Sequence, residues 1–215
     1  MKDNLLSKTF LWMCFGLLVT FATAFFTASS EVMLENIFLN DTTYIILIVV
    51  ELLLVLILSA RVMKMKPTTA KVCFLLYSFV SVLTFSAIFI AFDITSIIYV
   101  FLGAAGFFAL LSFIGYTTKI DLSKMGIYLI FGLLAVIITG LVNMFIASSE
   151  LEFVLSIIII IIFIGYTIYD VQKIKYLENS GLPQDNLAIY GALELYLDFI
   201  NLFIHLLQIF GRRDD

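Results

Sequence analysis

Long unbroken apolar runs fill this chain and recur seven times. Six of them carry very little charge: 10–28, 43–63, 72–92, 96–116, 125–147 and 151–169. Each has roughly the 20 residues that a helix needs to cross a hydrocarbon core. The apolar positions are continuous rather than alternating every second residue, so helices fit and an outer-membrane barrel does not. The seventh run, 187–210, is apolar but interrupted by Glu194, Asp198, Asn201, His205 and Gln208. Their spacing of 4, 3, 4 and 3 keeps them on one helical face. The other positions, such as Leu193, Leu195, Phe199, Leu202 and Phe203, are mostly apolar. A polar face on a membrane helix points into the bundle or a water-filled cavity, because lipid cannot satisfy it.

Composition agrees with the pattern. Of the 215 residues, 63% are hydrophobic and the mean hydropathy is +1.15, against about 45–50% apolar residues in soluble domains. The reading is a single polytopic membrane domain over 1–215, all-α, with seven transmembrane helices. Two prolines and eleven glycines leave little for a loop-rich architecture. Cys14 and Cys73 fall inside apolar runs and read as small core residues. Nothing resembles a cleavable signal, a phosphate-binding glycine loop or a basic patch for nucleic acid. No cofactor is expected, and the bilayer is the expected surrounding; the sequence leaves the oligomeric state open, with a monomer plausible.

Charge placement gives orientation. Lys2, Lys8, Arg61, Lys64, Lys66, Lys71, Lys119, Lys124, Lys173 and Lys175 all fall at one side, ten of the twelve basic residues. The opposite loops hold Glu31, Glu35, Asp41, Asp93, Glu150 and Glu152 and no Lys or Arg. The positive-inside rule then puts the N-terminus in the cytoplasm. Arg212 and Arg213 break the pattern if the seventh run spans and obey it if that run re-enters. Its length favours spanning. The short termini point to a prokaryotic plasma membrane.

The residues that need explaining are Asp170, which closes the sixth run, and Asp198, inside the seventh. A carboxylate at membrane depth costs on the order of 2.5–3.5 kcal/mol on insertion scales. The short connection 171–187 makes the two helices antiparallel neighbours, with Asp170 near the cytoplasmic end and Asp198 further in. The competing bland readings are a helix end meeting water for Asp170 and hydrogen-bonding glue for Asn201, Gln208 and Asp198. His205, the lone histidine, reads as a packed or hydrogen-bonded residue, since a metal ligand would need others. Glu51 is a third buried acid, pore-lining or paired. Arg61 could neutralise Asp170 or snorkel to the headgroups.

Two carboxyls close together in low dielectric cannot both ionise easily and titrate as a unit. They can share a proton or offer hard oxygens to Ca²⁺. They could also activate water for proteolysis. Tyr169-Asp170 resembles one element of presenilin-type aspartyl proteases. The glycines of their second element are missing around Tyr196-Leu197-Asp198, and neither Pro67 nor Pro183 supplies their Pro-Ala-Leu.

The same residues carry a family resemblance. Tyr190-Gly-Ala-Leu-Glu-Leu-Tyr-Leu-Asp-Phe-Ile-Asn-Leu-Phe203 resembles the C-terminal signature of the Bax inhibitor-1 family. Ile168-Tyr-Asp-Val-Gln-Lys-Ile174 resembles its sixth-helix element, with Val171 where Thr is usual. Gly115-Tyr-Thr-Thr-Lys-Ile-Asp-Leu-Ser-Lys-Met-Gly126 resembles its loop after the fourth helix. The resemblance implies seven helices with the last one central, and a Ca²⁺ leak regulated by pH. It implies that Asp170 and Asp198 form the pH-sensing pair and touch the transported Ca²⁺. It further implies an arginine latch, matched by Arg61 with Lys64 as the next nearest, and a role for Glu51; Glu194, Asn201 and His205 join the pore-lining candidates through their stripe. The expectation is a non-enzymatic channel. A proton-coupled cation exchanger, an intramembrane protease and a non-transporting interaction protein are the alternatives.

Overall fold

The structure of the protein, a computed structural model, describes residues 4–28, 41–85 and 88–213. Lys2, Glu31 and Glu35, used above for orientation, lie outside the described residues. Among the described residues, seven long helices account for the seven apolar runs: α1 (Leu5–Ala28), α2 (Asp41–Arg61), α3 (Pro67–Phe85), α4 (Ile94–Thr117), α5 (Met125–Ile146), α6 (Ser149–Leu177) and α7 (Gln184–Phe210). A 3₁₀ turn, Val62–Lys64, follows α2, and one helical turn, Ile88–Ala91, follows α3. Among the described residues there is no strand, only an isolated bridge between Phe92 and Arg213. Among the described residues the protein is all-α, with six helices long and apolar enough to cross a membrane and a shorter apolar helix at Pro67–Val82.

Local chemistry explains where the helices start and stop. Proline tolerates the first helical position because no amide is needed there, and Pro67 opens α3 five residues before the apolar run begins. Asn143 and Ser148 exchange hydrogen bonds across the α5–α6 corner, 3.2 Å each way. Ala147 turns left-handed there, with φ at 52°. Ser148 Oγ then accepts the Leu151 amide and caps α6.

The clearest departure from the sequence pattern is the end of α6. The apolar run stops at Tyr169, but the helix continues to Leu177. Val171 and Ile174 are buried on the continuing face, so an amphipathic stripe carries the helix where the uniform run gives out. Asp170 is therefore an interior residue of α6, not a helix end meeting water. α7 runs unbroken over 27 residues, about 40 Å at 1.5 Å per residue, which exceeds a core of about 30 Å. It is also the buried helix. Of its apolar window 72% is covered, against 6% for α5 and no more than 28% for the windows of α1, α2, α4 and α6.

The helices divide between two compact units, Met1–Asp93 with Leu177–Tyr196 and Arg213–Asp215, and Ile94–Tyr176 with Leu197–Arg212. In the first, α1 and α2 both pack on α3. A Cβ at Gly16 would lie 2.7 Å from the Phe74 ring, so α1 and α3 approach as closely as glycine allows. The start of α7 ties this unit together. Asn186 donates to Val62 O (2.6 Å) and Met65 O (2.9 Å), carbonyls just past the end of α2. Asp185 pairs with Lys71 at 3.5 Å and Lys8 at 4.0 Å. In the second unit, Phe101 and Phe108 of α4 meet Phe199 of α7 edge-on at 5.3 and 5.6 Å. Val136, Leu155 and Ile162 join α5 to α6.

Much of the remaining surface is large and apolar: Leu102, Phe113, Phe131 and Phe145 are among many exposed examples. Such a surface is unusual on a soluble monomer and ordinary against lipid. Cys14 belongs to it. It is exposed, not a core residue, and Cys73 is half-buried, both with free thiols.

Candidate functional site

Asp170 and Asp198 are both buried, with 2% and 3% of their surface exposed. Both belong to the second unit. The helices that carry them are antiparallel neighbours, because Ser156 near the start of α6 donates to Gln208 in the last turn of α7 at 2.6 Å.

The segment around Asp170 is held from three directions. On α4, a Cβ at Gly115 would stand 2.6 Å from the Ile168 carbonyl oxygen and 3.1 Å from Val171 Cβ. On α5, a Cβ at Gly126 would stand 2.7 Å from the Tyr169 ring. These two glycines begin and end the motif 115–126, and the contacts give each a steric reason. Between them, Gln172 clamps the connecting loop: its Oε1 accepts the Leu122 amide at 3.0 Å and its Nε2 donates to Ile120 O at 2.8 Å. Lys175 donates to Tyr116 O at 2.8 Å, closing the end of α4, and lies over the Tyr116 ring. Beside them in the loop, the Ser123 hydroxyl and amide both donate to Asp121, and Lys124 adds attraction, which holds that exposed carboxyl below the usual carboxylate range. Such a group supports the loop above the ordinary carboxylate range, and that support fades as pH falls.

Asp170 has a cation on its own helix. Lys173 Nζ lies 3.5 Å from Asp170 Oδ1, one turn on, and 5.6 Å from the centre of the Tyr169 ring. Lys173 was not among the residues the sequence singled out. The signal was its i+3 spacing from a buried acid.

The polar stripe of α7 is covered unevenly. Asp198 is buried, Glu194, Asn201 and His205 are half-buried, and Gln208 is exposed. The apolar face of Leu193, Leu195, Phe199, Leu202 and Phe203 is the buried one. Asn201 donates back to Leu197 O at 2.7 Å, within its own helix. His205 Nδ1 meets Gln208 Oε1 at 2.8 Å and Ser156 Oγ at 3.3 Å, so it has the hydrogen-bonded environment expected of it. Glu51 is half-buried on α2, while Arg61 and Lys64 are exposed at and after its end; all three lie in the first unit, as does Glu194. Among the described residues, no three His, Cys, Asp or Glu side chains gather as a metal-binding group.

Tyr196 is a second polar centre that the sequence reading passed over. Fully buried on α7, its hydroxyl lies 2.7 Å from Thr20 Oγ1 and 2.8 Å from Ser81 Oγ. Two backbone carbonyls accept from the Thr20 hydroxyl, Gly16 O at 2.9 Å and Ser78 O at 3.3 Å. With the Thr20 proton on a carbonyl, Tyr196 donates to Thr20 and is left to accept from Ser81. One hydroxyl thus joins α1, α3 and α7 inside the first unit.

The whole chain can be compared with known proteins. A family model described as inhibitor of apoptosis-promoting Bax1 matches residues 2–215. An uncharacterized protein of Borreliella burgdorferi is 41% identical over 99% of this chain and 93% of its own length. The inner membrane protein YbhL of Escherichia coli K12 is 41% identical over 97% of this chain and 91% of its own length. An uncharacterized membrane protein of Streptococcus pyogenes serotype M1 is 40% identical, covering 77% of this chain and 73% of its own length. With seven helices, the buried last helix and the two C-terminal motifs in place, the chain belongs to the Bax inhibitor-1 family of membrane proteins.

Proposed function

We propose that this protein is a pH-regulated, Ca²⁺-permeable leak channel in which Asp170 and Asp198 form the titrating pair. The observation that carries the reading is the burial of two carboxylates on antiparallel neighbouring helices of one unit, in a membrane protein. Charges at that depth are retained where they serve an ion or proton path. Two such groups share a proton when one charge is all the site tolerates, and their ionised oxygens attract a hard divalent cation. Calcium is the cargo here, and protons compete for the same lone pairs.

The basic residues at one side support a cytoplasmic N-terminus. Together with a relative named as an inner membrane protein, the family membership supports a prokaryotic plasma membrane. The reading is a channel rather than an enzyme. Glu194, Asn201 and His205 are proposed to line the path, with Glu51 as a further acid and Arg61, or Lys64, as the latch cation.

A proton/cation exchanger would use the same two acids, and one experiment separates the two. In proteoliposomes with equal Ca²⁺ on both sides, an imposed pH gradient drives net Ca²⁺ movement through an exchanger but only modulates a leak. The leak reading predicts flux down a Ca²⁺ gradient and no uphill accumulation. Accumulation driven by the pH gradient would replace it with exchange.

A further inference from the structure

One buried hydroxyl in the unit of the two aspartates lacks the bond that its counterparts make. Ser78 and Thr167, buried in α3 and α6, turn back to the carbonyls of Phe74 and Phe163 at 3.0 and 2.7 Å, the common arrangement for a hydroxyl in a membrane helix. Ser112 of α4 does not. Its side chain is buried, and its Oγ makes no hydrogen bond among the described residues. A hydroxyl brings one proton and two lone pairs, and leaving them unused in an apolar interior is unfavourable. Thr9 of α1 shares this condition, but in the other unit. Ser112 lies in the unit that holds Asp170 and Asp198.

Its place on α4 says which elements it faces. Phe108, Ser112 and Gly115 are all buried, and their spacing keeps them on one face of the helix. One turn before Ser112, the Phe108 ring meets that of Phe199, the residue after Asp198. One turn after it, Gly115 packs against Ile168 and Val171, which lie either side of Asp170. The hydroxyl therefore stands on α4 between its contact with the Asp198 segment of α7 and its contact with the Asp170 segment of α6. We propose that Ser112 Oγ is a third protein ligand on the cation path, a neutral hard oxygen that α4 adds to the two carboxyl groups. This rests on reading the aspartate pair as the place where Ca²⁺ passes. The chemistry suits the ion. Ca²⁺ takes six to eight oxygens, more than two carboxylates supply. A hydroxyl contributes one without adding charge, so it steadies the ion without holding it too tightly to leave.

The test measures binding apart from transport. Equilibrium binding of radiolabelled Ca²⁺ is followed on the purified protein at one fixed pH, for the wild type, Ser112→Ala and Ser112→Cys, with Asp198→Asn showing which binding belongs to the path. Ser112→Ala should weaken that binding about fivefold. Ser112→Cys keeps the size of the side chain and exchanges a hard oxygen for a soft sulfur; it should weaken binding as much, and it carries the test if the alanine variant does not fold. A hydroxyl that serves no ligand predicts another pattern. Ser112→Ala would then lose only an unsatisfied polar group, unfold at the same or a higher temperature, and bind Ca²⁺ as the wild type does. That result would overturn the proposal, as would wild-type protein with no Ca²⁺ binding sensitive to Asp198→Asn. Unchanged binding in both Ser112 variants of a protein that does pass Ca²⁺ would remove Ser112 alone. Weakened binding in both variants of a protein that passes no Ca²⁺ in proteoliposomes would uphold the ligand and remove the leak-channel reading.

Discussion

At the scale of single residues, glycines and a tyrosine do work that hydropathy does not advertise. Gly115 and Gly103 lie on the same helix, yet a Cβ at Gly103 meets nothing within 4 Å while one at Gly115 meets the Ile168 carbonyl. Gly115→Ala should lower stability by about 1–3 kcal/mol through forced backbone movement, and Gly103→Ala should lower it not at all. Thermal unfolding of the detergent-solubilised variants checks the contrast. Tyr196→Phe removes the middle of the Ser81–Tyr196–Thr20 chain and should cost about 1 kcal/mol, modest because polar contacts between membrane helices average well under 2 kcal/mol; the same unfolding measurement reads it. Asp170 and Asp198 were legible as costly charges in apolar sequence. Lys173 showed only as an i+3 neighbour of Asp170 and was passed over, and Tyr196 could not be read at all, because its partners lie on other helices. A lysine after an apolar run looks like a headgroup anchor, and a tyrosine beside Asp198 looks like one more aromatic in an apolar face.

At the scale of elements, the apolar runs located all seven helices, since length and hydropathy are what a bilayer selects. The errors fall at boundaries where other forces decide. α3 begins at Pro67 because proline suits the first turn, and α6 outlasts its apolar run because Val171 and Ile174 keep one face buried. That extension turned Asp170 from a helix end into a buried site. The loop beside it depends on Gln172, whose amide satisfies one donor and one acceptor of the backbone at Leu122 and Ile120. Gln172→Leu should therefore speed amide hydrogen exchange at Leu122 by about tenfold, for a loss near 1.4 kcal/mol. Exchange followed by mass spectrometry over 118–124 tests this, and an unchanged rate would mean the clamp does not hold the loop. The polar stripe of α7 was legible by spacing alone, but its graded exposure was not, because spacing says which face a residue takes and not what covers it.

At the scale of the whole molecule, family membership and membrane architecture follow from the full-length match and the seven long helices among the described residues, while the transport we propose rests on the chemistry of two buried acids. The two units hold different polar assets. One contains the hydroxyl chain on Tyr196, with Glu51 and Arg61. The other contains Asp170, Asp198 and Lys173. The measurement that bears most directly on the proposed activity is Ca²⁺ flux through proteoliposomes across pH, for the wild type, Asp170→Asn and Asp198→Asn. The account predicts a pH-dependent wild-type flux whose dependence is flattened or displaced in both variants. A pH response unaltered in both, or no Ca²⁺ flux at any pH, would contradict it.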